Sequence, residues 1–176
     1  MSALTEPERV WWKPLGRDEK IWLAVGLAWC LFMFSVMWWW PLVGDQTTPI
    51  ESYRIDSELF AQRVEAFIAA HRVGEVGGVP VVRPPAGTDI YLEARAFQFR
   101  PVLELKQGET YRILLSSTDY QHGFSLQPLN LNFQVLPGYL YVIHLTPRET
   151  GEFPLICNEY CGLGHHVMTG RIIVTE

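Results

Sequence analysis

Over residues 156–168 the chain reads Ile-Cys-Asn-Glu-Tyr-Cys-Gly-Leu-Gly-His-His-Val-Met. Cys157, Cys161, His165 and Met168 stand there at spacings of 4, 4 and 3. Thiolate, imidazole and thioether form the soft ligand set that favours copper. Structural zinc is ordinarily held by Cys and His without Met. One Cys with His and a weak Met would make a mononuclear electron-transfer site. A second Cys allows two thiolates to bridge two copper ions that share one unpaired electron. Each redox change is then spread over two metals and two sulfurs, bond lengths shift little, and the barrier to electron transfer is low. Two other readings compete: a packing stripe on one helix face, and a plain Cys157–Cys161 disulfide. Gly162 and Gly164 inside the run, with Pro154 before it, disfavour a helix. Neither alternative explains His165 and Met168.

A second imidazole must come from elsewhere in the chain. His122, in Asp119-Tyr120-Gln121-His122-Gly123-Phe124, stands where a loop enters a strand, and ligands favour loops held by a rigid sheet. His144 lies inside an alternating strand, His71 ends a helical pattern, and His166 points away from its neighbour His165. His122 is the expected remote ligand.

Elements able to position these groups follow from the surrounding pattern. Short runs rich in Val, Ile, Leu, Tyr and Phe predict strands near 89–96, 102–105, 110–116, 122–126, 131–136, 139–146, 152–157 and 170–175. Gln107-Gly108, Pro137-Gly138 and Thr150-Gly151 are turns between them. Eight short strands suggest a mainly β Greek-key barrel or sandwich over 89–176. Upstream, Ser52 through His71 reads as an amphipathic helix with Ile55, Leu59, Val64, Phe67 and Ile68 on one broad face. Val73 to Gly87, with four Gly and three Pro, reads as a linker, so 44–88 is helix plus linker.

Ile21 to Trp40 is a 20-residue run without a charge, about 30 Å long as a helix, which matches a bilayer core. All seven tryptophans lie between Trp11 and Trp40, with Trp38, Trp39 and Trp40 at one end of that run and Trp11, Trp12 and Trp22 toward the other, as in an interfacial belt. A signal peptide has a shorter apolar region and an Ala-x-Ala-like site, absent here. The expectation is one uncleaved N-terminal transmembrane helix, 21–43, after a cytoplasmic segment 1–20. Arg9, Lys13, Arg17 and Lys20 precede the span, and only Arg54 and Arg63 lie in the 20 residues after Val43. That bias places the N-terminus in the cytoplasm and the rest outside it. Cys30 falls inside the span, as a packing residue. With 14 Lys and Arg against 19 Asp and Glu, the net charge is −5, and no basic run exists to bind nucleic acid.

Cys-x-Glu-x-Cys-x-x-x-His-x-x-Met at 157–168, with His-Gly-Phe at 122–124, resembles the binuclear copper centre CuA of cytochrome c oxidase subunit II. The resemblance covers 89–176 closely and implies a cupredoxin domain, a Greek-key β-barrel outside a membrane anchor. One short N-terminal span is similar to the b-type haem-copper oxidases. The resemblance implies that Cys157 and Cys161 bridge the coppers, that His122 and His165 each ligate one, and that Met168 and the Glu159 carbonyl are weak axial ligands. It also implies electron transfer from cytochrome c, or another small donor, through the copper pair to the haem of a membrane subunit I, where oxygen is reduced. In some relatives the side chain at Glu159 binds Mg²⁺, which suits a carboxylate. Electrons enter the family's domain at an aromatic-rich strand, here Ala94 to Phe99 with Phe97 and Phe99 but without the mitochondrial-type tryptophan. Ordinary core packing is the other reading of those two rings. Gln134 stands before the Pro-Gly turn where that family carries an acid, which weakens the case for charge-steered docking. The alternatives are the CuA subunit of a nitric oxide reductase and a membrane-anchored copper-delivery protein.

Overall fold

A computed structural model describes residues 14–44, 51–127 and 131–176, in two compact units divided after Asp45. Among the described residues the first unit consists of one helix, α1 (Arg17–Val43). The Gly16 N–H donates to the Glu19 carboxylate at 2.8 Å, and Asp18 and Glu19 place negative charge on the first-turn N–H groups. None of its side chains is buried, including Trp22, Trp29 and Trp38. A 27-residue helix of about 40 Å, apolar all round, is suited to lipid rather than to a protein core. It starts four residues before the expected span. Arg9, Lys13, Trp11 and Trp12 lie outside the described residues, as does the polar stretch Asp45 to Pro49.

The second unit is a two-sheet sandwich of twelve strands among the described residues. One sheet runs β1 (Glu51–Arg54), β10 (Tyr139–Leu145), β7 (Tyr111–Ser117), β4 (Asp89–Arg95), β5 (Gln98–Arg100). The other runs β2 (Arg72–Val76), β3 (Val79–Val82), β6 (Val102–Lys106), β12 (Thr169–Thr175), β11 (Gly151–Ile156), β8 (His122–Leu126), β9 (Leu131–Val135). All eight expected strands are present within a residue or two. The architecture is mainly β and cupredoxin-like, with parallel pairs β4–β7, β6–β12 and β3–β6 amid antiparallel ones.

Strand periodicity explains the core. Ile90 and Leu92 of β4, Ile113 and Leu115 of β7 and Val142 of β10 meet Leu103, Leu105, Phe124, Leu126, Ile172 and Val174 in one buried cluster. α2 (Ser57–His71) packs on β4, and on β3 and β7. It buries Phe60, Val64, Phe67 and Ile68, with Phe60 and Phe67 against the Tyr91 ring. Residues of β4 and β7 on that side, Leu114 and Glu93 among them, are therefore buried as well.

Two expectations need correction. The helix begins at Ser57, not Ser52. Asp56 caps it, accepting from the Leu59 N–H at 2.9 Å, and Glu51–Arg54 pairs with β10 as an edge strand. The stretch read as a linker from Val73 to Gly87 is largely the β2–β3 hairpin, which turns at Gly77-Gly78 and docks on β6 through Val81 and Val82. Both glycines have positive φ, 59° and 81°, the requirement of a two-residue hairpin turn.

Candidate metal centre

Three connections at one end of the sandwich build the site: the β11–β12 loop, the start of β8, and the β4–β5 turn. The β11–β12 loop carries Cys157, Glu159, Cys161, His165 and Met168. Its ends are fixed where Ile156 pairs with Thr169 and the Cys157 N–H donates to the Met168 carbonyl at 3.2 Å. Inside it the chain bends at Gly162, φ 131°, and forms a 3-10 turn over His165–Val167. The expectation of a non-helical run is met.

His122 is the first residue of β8 and fully buried. Its Nδ1 lies 4.0 Å from the Cys157 Sγ. The two sulfurs are 3.7 Å apart, far beyond the roughly 2.05 Å of a disulfide. The Cys161 Sγ is 3.8 Å from His165 Nδ1 and 3.7 Å from the Met168 Sδ, and the Glu159 carbonyl oxygen is 3.3 Å from the Cys157 Sγ. The sequence-predicted ligands are thus brought together, with Cys157, Cys161, His122 and Met168 buried. His144 and His166 are exposed on the surface.

These spacings test whether a soft metal fits. With metal–sulfur bonds of about 2.3 Å and metal–nitrogen bonds of about 2.0–2.1 Å, a thiolate and an imidazole sharing one ion lie at most about 4.4 Å apart, and two thiolates at most about 4.6 Å. Every nitrogen–sulfur and sulfur–sulfur separation above falls inside those limits. His122, Cys157 and Cys161 are also the one cluster of three or more His, Cys, Asp or Glu able to hold an ion among the described residues. Glu159 belongs to no such cluster. The donor set and its geometry fit copper.

Asp119 is a participant that the spacing argument missed. Its Oδ1 lies 2.7 Å from His122 Nε2, which leaves Nδ1 facing the sulfur. A carboxylate behind a ligating histidine fixes tautomer and ring orientation. Burial pushes the Asp119 carboxyl up. Hydrogen bonds from His122 and from the Ala96 and Tyr120 N–H groups outweigh that and leave it below the usual value. The signal was legible as an Asp three residues before the remote His. The Cys161 thiol is pushed up to about 11, chiefly by burial, then by the hydrogen bond and charge of Cys157.

Two glycines let the parts meet. A Cβ on Gly123 would lie 2.6 Å from the Glu159 N and 2.8 Å from the Asn158 N, so the loop backbone can rest on β8 only because that position has no side chain. At Gly164 the space a Cβ would take is filled by the Phe97 ring. Phe97 is half-buried at the site's rim. Phe99 is 2% exposed and packs edge-on to Phe124 inside the sandwich. The core-packing reading is therefore the one that holds for Phe99, which no docking molecule can touch.

Residues 93–176 match the family model described as the periplasmic domain of cytochrome c oxidase subunit II. Cytochrome c oxidase subunit 2 of Thermus thermophilus is 34% identical over 162 residues, which cover 90% of this chain and 92% of that one. The chain belongs to the cytochrome c oxidase subunit II family. A second subunit 2 from Thermus thermophilus is 41% identical over 88 residues, 49% of this chain and 65% of that one. Among solved structures, a chain of a heme-copper terminal oxidase dimer superposes with a TM-score of 0.56 at 24% identity, over 90% of this chain and all of that one. As a subunit II, the protein is part of an oxidoreductase complex and has an electron-transfer role. The cupredoxin-like domain with its His/Cys/Cys cluster is copper-binding, and the domain is extracytoplasmic on a membrane-anchored chain.

Proposed function

We propose that this subunit II holds two copper ions, bridged by Cys157 and Cys161. In this reading His122 and His165 bind one ion each, Met168 binds one weakly, and the Glu159 carbonyl faces the other. The observation that carries it is the unbroken sequence of two-bond spacings from His122 through Cys157 and Cys161 to His165 and Met168. When bound, the pair supplies one-electron redox chemistry. The chain's own residues do the rest. The sandwich fixes the donors before metal arrives, so little rearrangement accompanies a change of charge. Burial of both cysteines and Met168 keeps water from the sulfurs.

His165 is half-buried on the outer side of the loop, and the Tyr160 ring stands edge-on to it at 5.9 Å. Around it Tyr120, Tyr160, Leu163 and Val167 are exposed, between 61% and 91%. With Phe97 they make an apolar surface over one ligand, suited to a small donor such as cytochrome c that docks by apolar contact. The electron then passes to the haem of subunit I in the membrane. α1 spans the bilayer with its N-terminus in the cytoplasm, residues 1–20 inside and 21–43 spanning, and the copper domain takes in β1, α2, β2 and β3 of the 44–88 stretch together with 89–176. A Mg²⁺ at the Glu159 side chain would need oxygen ligands beyond this chain's own cluster. The sandwich setting of the Cys pair, with His165 and Met168 added, favours electron transfer over copper delivery.

Detergent-solubilised full-length protein and its variants test the assignment. Copper content of two per chain and an electron paramagnetic resonance signal shared over two nuclei are expected. Cys157→Ser and Cys161→Ser lose the shared signal. His122→Ala depletes or distorts it. Met168→Leu keeps most of the copper and shifts the potential, and His144→Ala changes nothing. A normal copper pair in both cysteine variants, or its loss in His144→Ala with His122→Ala unaffected, overturns the reading.

A further inference from the structure

Glu93 is a carboxylate with 1% exposure, on the α2 side of β4, and nothing in electron transfer asks for a charge there. Burying one is costly unless it is paired and hydrogen-bonded. Its Oε2 lies 3.5 Å from Arg100 Nη1. Arg100, however, holds a closer partner in Glu65 of α2 at 2.8 Å. The shortest contact of Glu93 is a different one: the Thr118 hydroxyl donates to its Oε1 at 2.6 Å.

Thr118 directly precedes Asp119. The turn leaves β7 at Ser117, which pairs with Ala94 of β4, and the Thr118 N–H donates to the Ala94 carbonyl at 3.4 Å; beyond that point side chains set its shape. The Ser117 hydroxyl donates to the Tyr120 carbonyl at 2.5 Å. The Ala96 N–H donates to the Asp119 Oδ2 at 2.8 Å, and the Tyr120 N–H to its Oδ1 at 2.6 Å. β4 thus grips the turn at three places, through the Ala94 carbonyl, through Glu93, and just beyond its end at Ala96. Asp119 in turn sets the His122 ring.

We propose that Thr118 and Glu93 are positioning residues for His122: the Thr118–Glu93 hydrogen bond fixes the height of the Asp119 carboxylate, and through it the direction of His122 Nδ1 toward Cys157. The inference rests on the copper reading where it concerns the metal, and on the hydrogen bonds alone where it concerns the ring. The margin is small. The 4.0 Å gap between His122 and Cys157 leaves about 0.4 Å before one ion can no longer reach both.

The test compares Thr118→Val, which keeps shape and loses the donor, with Thr118→Ser, which restores it, and Glu93→Gln, which keeps an acceptor but loses the charge. Three measurements are made on the full chain: the rate of copper removal by a chelator, the reduction potential, and, in copper-free protein, exchange protection of the His122 ring N–H by nitrogen-15 NMR. Loss of a partner behind a ligand weakens metal sites 10–100-fold. Thr118→Val is expected at the low end, with about tenfold faster stripping, an altered potential and lost ring protection, while Thr118→Ser and Glu93→Gln stay near the parent protein. Parent-like stripping and ring protection in Thr118→Val overturn the proposal. So does damage by Glu93→Gln equal to that of Thr118→Val, because the ion pair with Arg100 would then be what matters. If the parent protein takes up no copper pair, the function proposed above fails, and the ring-exchange comparison still decides this inference.

Discussion

Replacing Gly123 by alanine adds a single methyl group directly under the ligand loop. Its Cβ would stand 2.6 Å from the Glu159 N and 2.8 Å from the Asn158 N, and both are backbone atoms that cannot swing aside. Opening these contacts to 3.4 Å, the near edge of ordinary van der Waals distance, moves that part of the loop by about 0.6–0.8 Å. Cys157 is next to Asn158 and moves with it. A shift of that size away from β8 exceeds the roughly 0.4 Å of slack between His122 and Cys157 before metal–ligand bond lengths forbid a shared ion. Overpacking costs about 1–3 kcal/mol, so the copper-free protein should melt about 3–10 °C lower and still fold. The assay is copper content with the paramagnetic spectrum, beside the melting temperature of the copper-free form. Gly123→Ala should lose the shared signal, while Gly74→Ala, where a Cβ meets nothing within 4 Å, should match the parent in both. A full copper pair with an unchanged spectrum in Gly123→Ala would refute the argument that this close approach sets the site.

Copper uptake by the reduced, metal-free protein should strengthen with pH. The Cys161 thiol, pushed up to about 11, is protonated at neutrality and must release its proton to bind. Affinity should therefore rise about tenfold per pH unit for that proton below pH 11, and chelator competition that is flat between pH 6 and 8 would contradict it. Leu163→Ser and Tyr160→Ser, on the exposed rim, should slow oxidation of an added cytochrome c while leaving copper content unchanged. The rate should fall modestly rather than by several orders of magnitude across a salt series, because charge-steered association is what salt suppresses steeply. The mature chain should keep its span, so its intact mass in membranes should include residues 1–44. A mass lacking them would mean that the helix is a cleaved leader.

The ligand loop and the strands around it could be read from the sequence because two local signals coincide there. Soft ligands recur at short spacing, and apolar alternation is cut by Gln107-Gly108, Pro137-Gly138 and Thr150-Gly151. His122 was legible for a related reason, as a histidine at the mouth of a strand. What was missed carries no such signal. β1 is a polar four-residue edge whose pairing with β10 depends on distant chain. β2 and β3 are short, valine-rich runs set among Gly77, Gly78, Pro84, Pro85 and Gly87, and composition there hid a Gly-Gly hairpin turn that the local pattern did contain. Asp56 was overlooked as a helix cap in the same way. Phe97 and Phe99 look alike in sequence, two residues apart, and only the turn before β5 separates a rim residue from a core one. Glu93 was invisible: nothing local says that a glutamate between Leu92 and Ala94 will be sealed under a helix.

The strand order also imposes an order of events. β12 lies between β6 and β11 in the finished sheet, yet it is synthesised after both. Until Thr169–Thr175 is available, β6 and β11 each present an open edge, the kind of surface on which chains pair wrongly. Met168 sits immediately before that strand, so the last ligand and the missing slat arrive together. A half-made or half-exported chain therefore has neither a closed sandwich nor a complete ligand set.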